Sequence, residues 1–410
     1  MKTDAVIVGA GPAGLSAAIR LAKENVAVIV IDEYYRPGGR LLGQLYEDSS
    51  LPDGEKEWNG KEIANNLALE AESLGVQIFT NTIVWSVKKG WEVEITGAVK
   101  GTISAKVVLL ATGSMEKAMP VPGWTLPGVY TIGAAQMFTN LHRVRIGRKV
   151  LIAGIDPLSL SVMTEMKKAG IDVVGVTLPP PFKETGNYLT PIDALRSLKQ
   201  VIGFAPNRLL RGAGRTMLGR FDRQIARLLR WNLLNIDGTP LHVRKALVSI
   251  EGEKEVEGAA LQNVSPDGEL IGKPTHIQVD AVCLSGGLYP SMDLAQIAGC
   301  SIVHIRELGG MVPLHGPDLS TAVEGLYLAG NITGIEGAKV AMAQGKVAAL
   351  SMLNDLGKIP SQSVEEAVAE VETARKNSPI TFLPEIETGR EKMYERWREQ
   401  HNERYDNMSV

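Results

Sequence analysis

The sequence predicts an α/β protein of two three-layer nucleotide-fold domains, the first interrupted by the second, closed by a helical C-terminal tail. Three observations support this. Residues Asp4 to Glu33, DAVIVGAGPAGLSAAIRLAKENVAVIVIDE, read as strand, glycine turn, helix and strand. Residues Lys149 to Thr177, KVLIAGIDPLSLSVMTEMKKAGIDVVGVT, repeat that layout. Far downstream, Gly325 to Asn331 (GLYLAGN) reads as a strand closing on a small-residue turn, and Gly334 to Lys339 (GIEGAK) opens a helix running through Leu350. The expected boundaries place the two parts of the first domain at residues 1–120 and 276–358, the inserted domain at 121–275, and the tail at 359–410.

In chain order, Ala5–Val8 is a short apolar run, as a strand buried on both faces requires. Gly9, Gly11 and Gly14 follow as G-x-G-x-x-G. Gly9 permits the tight turn, Gly11 lets a pyrophosphate approach the backbone, and Gly14 lets the helix pack close to the strand. Pro12, followed by Ala13, suits a helix start, where a missing N–H costs nothing. The unpaired N–H groups and dipole of that helix end attract phosphate. Val26–Ile31 is the second strand. Asp32 stands 23 residues after Gly9, close to the spacing of about 20 expected of a ribose-binding acid, with Glu33 beside it. Strand, triplet, helix, strand and acid in register make the first fold Rossmann-like in expectation, and the second shares its strand–turn–helix–strand layout.

Pro37-Gly38-Gly39-Arg40 comes directly after the acid. Lys61–Leu74 predicts an amphipathic helix and Val76–Phe79 a strand. Ile83–Val87 and Trp91–Ile95 alternate about Lys88-Lys89-Gly90, a hairpin signal. Val107–Leu110 is apolar again and ends in Ala111-Thr112-Gly113. Pro120–Gly128, rich in proline and glycine, marks the exit from the first domain, and Ile277–Leu284 its resumption. The tail predicts helices around Val364–Lys376 and Glu385–Tyr405; these could pack on their own chain or across a subunit boundary.

The second nucleotide fold has lost its phosphate chemistry. Gly154 keeps the first glycine position, but Asp156 and Ser159 take the second and third. Thr177, 23 residues after Gly154, stands where an acid would bind a ribose. Asp156-Pro157 is a good helix start, with Asp as N-cap and Pro at the first helical position. Its carboxylate would occupy the place of a pyrophosphate. Two unit charges ~4 Å apart at an effective dielectric near ~20 repel by about 4 kcal/mol. A micromolar ligand has only about 8 kcal/mol of binding energy. NAD(P) binding is therefore not expected here, and another adenine nucleotide such as ATP meets the same objection. A retained structural domain is the expectation.

The early fingerprint, the Pro37–Arg40 run, Ala111-Thr112-Gly113 and the late turn together resemble the two-dinucleotide-domain flavoproteins, the glutathione-reductase-like superfamily. Within it, Ile31-Asp32-Glu33 with Arg36-Pro37-Gly38-Gly39, Pro127-Gly128-Val129-Tyr130-Thr131 and Gly309-Gly310-Met311-Val312-Pro313 look like FAD subunits of heteromeric amine and amino-acid dehydrogenases. These include dye-linked proline dehydrogenase α, opine oxidase, hydrogen cyanide synthase and sarcosine oxidase α. The resemblance implies an FAD lined by Gly9, Gly11, Pro12, Ala13, Gly14, Asp32, Glu33, Gly39, Arg40, Ala111, Thr112, Gly113, Gly330, Asn331, Gly337 and Ala338. The family usually has Asp at the position of Asn331. Asn keeps an acceptor oxygen without the charge, so binding is expected to persist with an altered flavin potential. Some relatives carry a cysteine-rich iron–sulfur segment after the FAD helix; no such segment occurs in this sequence.

Composition sets further bounds. A chain of 410 residues can bury a large core. A formal net charge of −3 creates no field inviting nucleic acid. No apolar run approaches the ~20 residues of a membrane helix. The first fold begins at Asp4, leaving no space for a leader, so a cytoplasmic protein is expected. The two cysteines, Cys283 and Cys300, are not C-x-x-C, which argues against a redox dithiol, and two thiols cannot hold a cluster needing four. Arg196 to Arg230 is strongly basic, with Phe221, Ile225, Leu228 and Leu229 on one face; a docking surface and a solvated helix face both fit.

Amine oxidation by a flavin needs hydride transfer to the cofactor, with orientation supplied by the protein. His315, just upstream of the late FAD strand, is the candidate catalytic residue; His142 is a weaker one. No metal-ligand spacing or Ser-His-Asp set stands out. The expected function is an FAD-dependent subunit of a heteromeric dehydrogenase for a small amine or amino acid such as proline or sarcosine. Its partners would be a substrate flavoprotein, an iron–sulfur protein, or both. A stand-alone NAD(P)H-dependent flavin or dye reductase and a non-catalytic FAD scaffold are the alternatives.

Overall fold

The computed structural model describes residues 1–47, 57–181, 190–195, 234–378 and 381–408. They form two compact units: Met1–Leu42 with Gly60–Met115 and Leu288–Val410, and Gly43–Asn59 with Glu116–Gly287. The basic Arg196–Arg230 stretch lies outside the described residues.

The first unit is built on a five-stranded parallel sheet in the order Leu326–Leu328, Val107–Leu110, Ala5–Val8, Val28–Ile31, Gln77–Phe79. Every residue of Ala5–Val8 is buried because both faces are covered. Ala5 and Ile7 join a helical layer with Leu15, Leu21, Val347 and Leu353. Val6 and Val8 join the opposite layer with Val87, Val93 and Ile103. This two-residue alternation places one strand in three layers. The opposite layer is an antiparallel meander of Thr82–Lys88, Glu92–Gly97 and Gly101–Ser104, with the expected hairpin pairing Val87 with Val93.

Helix Pro12–Ala22 packs directly on helix Ala338–Asp355. A Cβ on Gly345, in the middle of the second helix, would lie 2.1 Å from Ala13 O, so the close approach requires glycine there. The tail folds back onto its own chain. Helix Gln362–Lys376 inserts Val364, Ala367 and Val371 into the helical layer. Helix Ile386–Met408 adds Ile386, Met393 and Trp397 to a cluster with Ile305, Leu308, Val312 and Leu314. Full burial of a Val- or Leu-sized side chain contributes about 1.5–3 kcal/mol, which anchors two helices that are otherwise polar.

The second unit holds a mixed eight-stranded sheet. Val129–Thr131, Ala281–Leu284, Lys149–Ala153, Asp172–Leu178 and Thr239–Glu251 run parallel, then Gly258–Val264 and Leu270–Gln278 antiparallel. Ala281–Leu284 corrects the sequence reading. Expected to return to the first domain, it is hydrogen-bonded between Val129–Thr131 and Lys149–Ala153. The Asp280 carboxylate pins it there by accepting from the N–H groups of Arg148 at 2.9 Å and Lys149 at 2.8 Å. Leu45–Glu47 and Glu57–Asn59 also belong to this unit, paired antiparallel with Tyr46 stacked on Trp58 at 5.8 Å.

Candidate cofactor site

The fingerprint turn in the first unit is shaped by what surrounds each glycine. Gly9 has φ +105°, and a Cβ there would lie 2.4 Å from Ala111 O. A Cβ on Gly14 would lie 1.9 Å from Gly9 O. Gly11 is different: a Cβ there meets no protein atom within 4 Å. Gly11 precedes helix Pro12–Ala22, and no side chain caps that helix start. Steric necessity thus closes two positions, while the third leaves open backbone and helix N–H groups, which suits a pyrophosphate.

Neighbouring segments converge on this turn. Gly38 N–H donates to Ala10 O at 2.7 Å, and a Cβ on Gly39 would lie 3.2 Å from Gly11 Cα. The Arg40 guanidinium donates to Ser114 O at 3.2 Å. Thr112 Oγ1 donates to Ser291 O at 2.8 Å, beside Gly113 with φ +73°. Gly330, with φ +79°, lies against Ala13, since its Cβ would sit 3.0 Å from Ala13 Cβ. The Asp32 carboxylate accepts from Ala10 N–H at 2.7 Å and Tyr34 N–H at 2.8 Å. Burial raises its pKa, and those two N–H groups oppose the rise. Each oxygen keeps a lone pair for a ribose hydroxyl. Glu33 is exposed.

The late turn supplies the other end. Asn331 Oδ1 accepts from Glu336 N–H at 3.1 Å, and its Nδ2 lies 3.5 Å from Ser114 Oγ. Gln344 Oε1 accepts from Gly330 N–H at 2.8 Å, and Gln344 Nε2 donates to Glu336 Oε2 at 3.1 Å. Gly337 precedes helix Ala338–Asp355, again with no side-chain cap. Gln344 escaped the sequence reading. Its signal was Gly345, a lone glycine inside a helix, which marks a close backbone approach.

His315, the candidate catalytic residue, is enclosed. It has no exposed surface. Its Nδ1 donates to Gly316 O at 2.8 Å, and Nε2 lies 3.4 Å from Arg390 Nη1. Burial and the Arg390 cation hold its pKa down at about 3, so the ring stays neutral. An enclosed imidazole with both nitrogens engaged anchors structure in this arrangement. His142 is exposed. Cys283 and Cys300 are free and buried; burial pushes the Cys283 thiol far up and the Cys300 thiol to about 11, so both are inert.

In the second unit, Asp156 caps helix Pro157–Lys168 as expected, and more completely. Its Oδ1 accepts from Ser159 N–H at 2.9 Å, while Ser159 Oγ accepts from Asp156 N–H at 3.0 Å, a reciprocal capping box. Ser285 Oγ donates to Asp156 Oδ2 at 2.5 Å. Thr177 is fully buried, with its hydroxyl donating to Leu178 O at 3.1 Å. Where the first unit presents open glycine and an uncapped helix, the second presents a hydrogen-bonded carboxylate.

These features define a two-dinucleotide-domain flavoprotein oxidoreductase. Residues 3–345 match the pyridine nucleotide-disulphide oxidoreductase family, to which the chain belongs. It is an FAD-dependent oxidoreductase. An opine oxidase subunit of Agrobacterium tumefaciens is 29% identical over 380 residues, covering 89% of this chain and 68% of that one. Hydrogen cyanide synthase subunit HcnB of Pseudomonas aeruginosa is 27% identical over 392 residues, covering 89% and 74%. L-proline dehydrogenase from P. horikoshii has a similar fold, with a TM-score of 0.62 at 20% identity, covering 90% of this chain and 59% of that one. Among the described residues, no helix is long and apolar enough to cross a membrane.

Proposed function

We propose that this chain is the FAD-binding subunit of a heteromeric dehydrogenase that oxidises a small amine or amino acid, of proline or sarcosine type, in the cytoplasm. The observation that carries the reading is the contrast between Gly11, open to a ligand, and Asp156, which spends the equivalent helix end on its own side chain. FAD would be held at its pyrophosphate by Gly9, Gly11, Pro12, Ala13 and Gly14. Asp32 and Glu33 would serve its ribose end. Gly39, Arg40, Ala111, Thr112 and Gly113 would line its middle, and Gly330, Asn331, Gly337 and Ala338 its flavin end. When bound, FAD supplies two-electron oxidation of the amine. The chain's own residues bind and orient it, and partner subunits would bring the substrate site, an iron–sulfur centre, or both. Subunit names among the relatives support an assembly.

Gly154 and the intact strand–turn–helix of the second unit favour one rival, a stand-alone NAD(P)H-dependent flavin reductase. Purification from the native source under mild conditions separates the two. A flavin-coloured protein with further chains attached is expected; a flavin-coloured but solitary chain would favour the reductase, and a colourless, solitary chain would sink both readings.

A further inference from the structure

The C-terminal tail grips the late turn with buried charge. The Glu336 carboxylate, 7% exposed, pairs with two arginines that the tail supplies. Arg375, from helix Gln362–Lys376, reaches Oε1 at 2.6 Å. Arg390, from helix Ile386–Met408 and itself 4% exposed, reaches Oε2. Arg390 also donates to Thr333 O at 2.7 Å and to Thr333 Oγ1 at 3.2 Å, and it abuts the neutral His315 ring.

The gripped segment is rich in glycine, and its own side-chain ties run from Thr333 Oγ1 to Gly330 O at 2.9 Å and from Glu336 N–H to Asn331 Oδ1 at 3.1 Å. Gly330 and Gly334 take φ +79° and +138°, and Gly337 follows. Glycine-rich backbone has the most conformational freedom to lose on ordering. The external ties fall on Thr333 and Glu336, between the proposed flavin-end residues Asn331 and Gly337. Two guanidinium groups face one buried carboxylate, and Glu372 pairs with Arg375 from a half-exposed position.

We propose that Arg390 and Arg375 are positioning residues for the flavin: through Glu336 and Thr333 they hold the Asn331–Gly337 turn in its binding shape and set the potential behind it. The inference rests on the FAD reading. The Arg390 and Arg375 charges behind the turn favour the electron-rich reduced flavin, and Glu336 acts in the opposite sense.

The test uses the full-length chain stripped of flavin and titrated with FAD. Arg390→Met, Arg390→Lys and Glu336→Gln are compared with Lys392→Met, which removes an exposed pair to Glu307 on the same helix. Arg390→Met is expected to weaken FAD binding at least tenfold and to shift the bound flavin's midpoint potential negative. Arg390→Lys should restore part of the affinity. Glu336→Gln should shift the potential positive, and Lys392→Met should match the wild type. A merely structural role would not produce opposite shifts from the two partners. Truncating one member of a buried pair can unfold a protein. Should Arg390→Met fail to fold, the near-isosteric Glu336→Gln decides. Wild-type affinity and potential in either folded variant overturns the proposal. A wild-type chain that takes up no FAD at all instead removes the FAD reading beneath it.

Discussion

Gly11 and Gly14 stand three residues apart and should fail differently when given a side chain. Gly11 adopts φ −75° and ψ −176°, open to any residue, and a Cβ there touches no protein atom within 4 Å. Gly11→Ala should therefore fold with stability within about 0.5 kcal/mol of wild type, yet bind FAD at least tenfold more weakly. Gly14→Ala drives a Cβ to 1.9 Å from Gly9 O and should lower the melting temperature sharply or prevent folding. Thermal melts of the apoprotein and FAD titration of the two variants check both statements. The glycine spacing was legible because phosphate turns are local. The burial of His315 was not legible, because nearness in sequence to an FAD strand does not say where a ring points. Arg390 was invisible for a related reason: its partners Thr333 and His315 lie 57 and 75 residues away along the chain.

Helix Pro157–Lys168 shows what an element can reveal of itself. Its start was readable from Asp156-Pro157 because capping involves residues a few positions apart, and Ser159 completes the box. The Ser285 hydroxyl on Asp156 comes from far along the chain and had no local signal. Asp156→Ala should cost about 1 kcal/mol, measured by denaturant unfolding, since N-cap replacements typically do so. An unchanged midpoint would mean the cap contributes nothing. Ala281–Leu284 illustrates the limit. All four residues are buried, and an uninterrupted apolar run suits the centre of either parallel sheet. Its place is fixed by Asp280 and by pairing, neither of which periodicity encodes.

At the scale of the molecule, the two nucleotide folds, the hairpin and the helical tail were legible. Leu45–Glu47 and Glu57–Asn59, which pair with each other and fall in the second unit, were announced by no sequence pattern. Inside that unit, Glu165 is buried among Gln136, Asn140 and Ser161. Burial raises its carboxyl from 4.5 to about 7 against those hydrogen bonds. The folded chain then holds a proton that the unfolded chain releases between these two values. Its contribution is greatest below the unfolded pKa and declines as pH rises toward about 7. The decline amounts to at most about 3.5 kcal/mol, at about 1.4 kcal/mol per pKa unit. Glu165→Gln should flatten this dependence, and unfolding curves at pH values across the window would show it. Parallel curves for the two proteins would contradict it.

On the proposed function, one nucleotide fold takes FAD while the other is closed to a nicotinamide donor. Anaerobic titration of the flavin-loaded protein with NADH and NADPH, followed in the flavin absorption band, tests it most directly. The flavin is expected to stay oxidised at micromolar donor and to bleach with an amine or amino-acid substrate once the partner chains are present. Prompt bleaching by micromolar NADH or NADPH, in the isolated chain, would contradict the account.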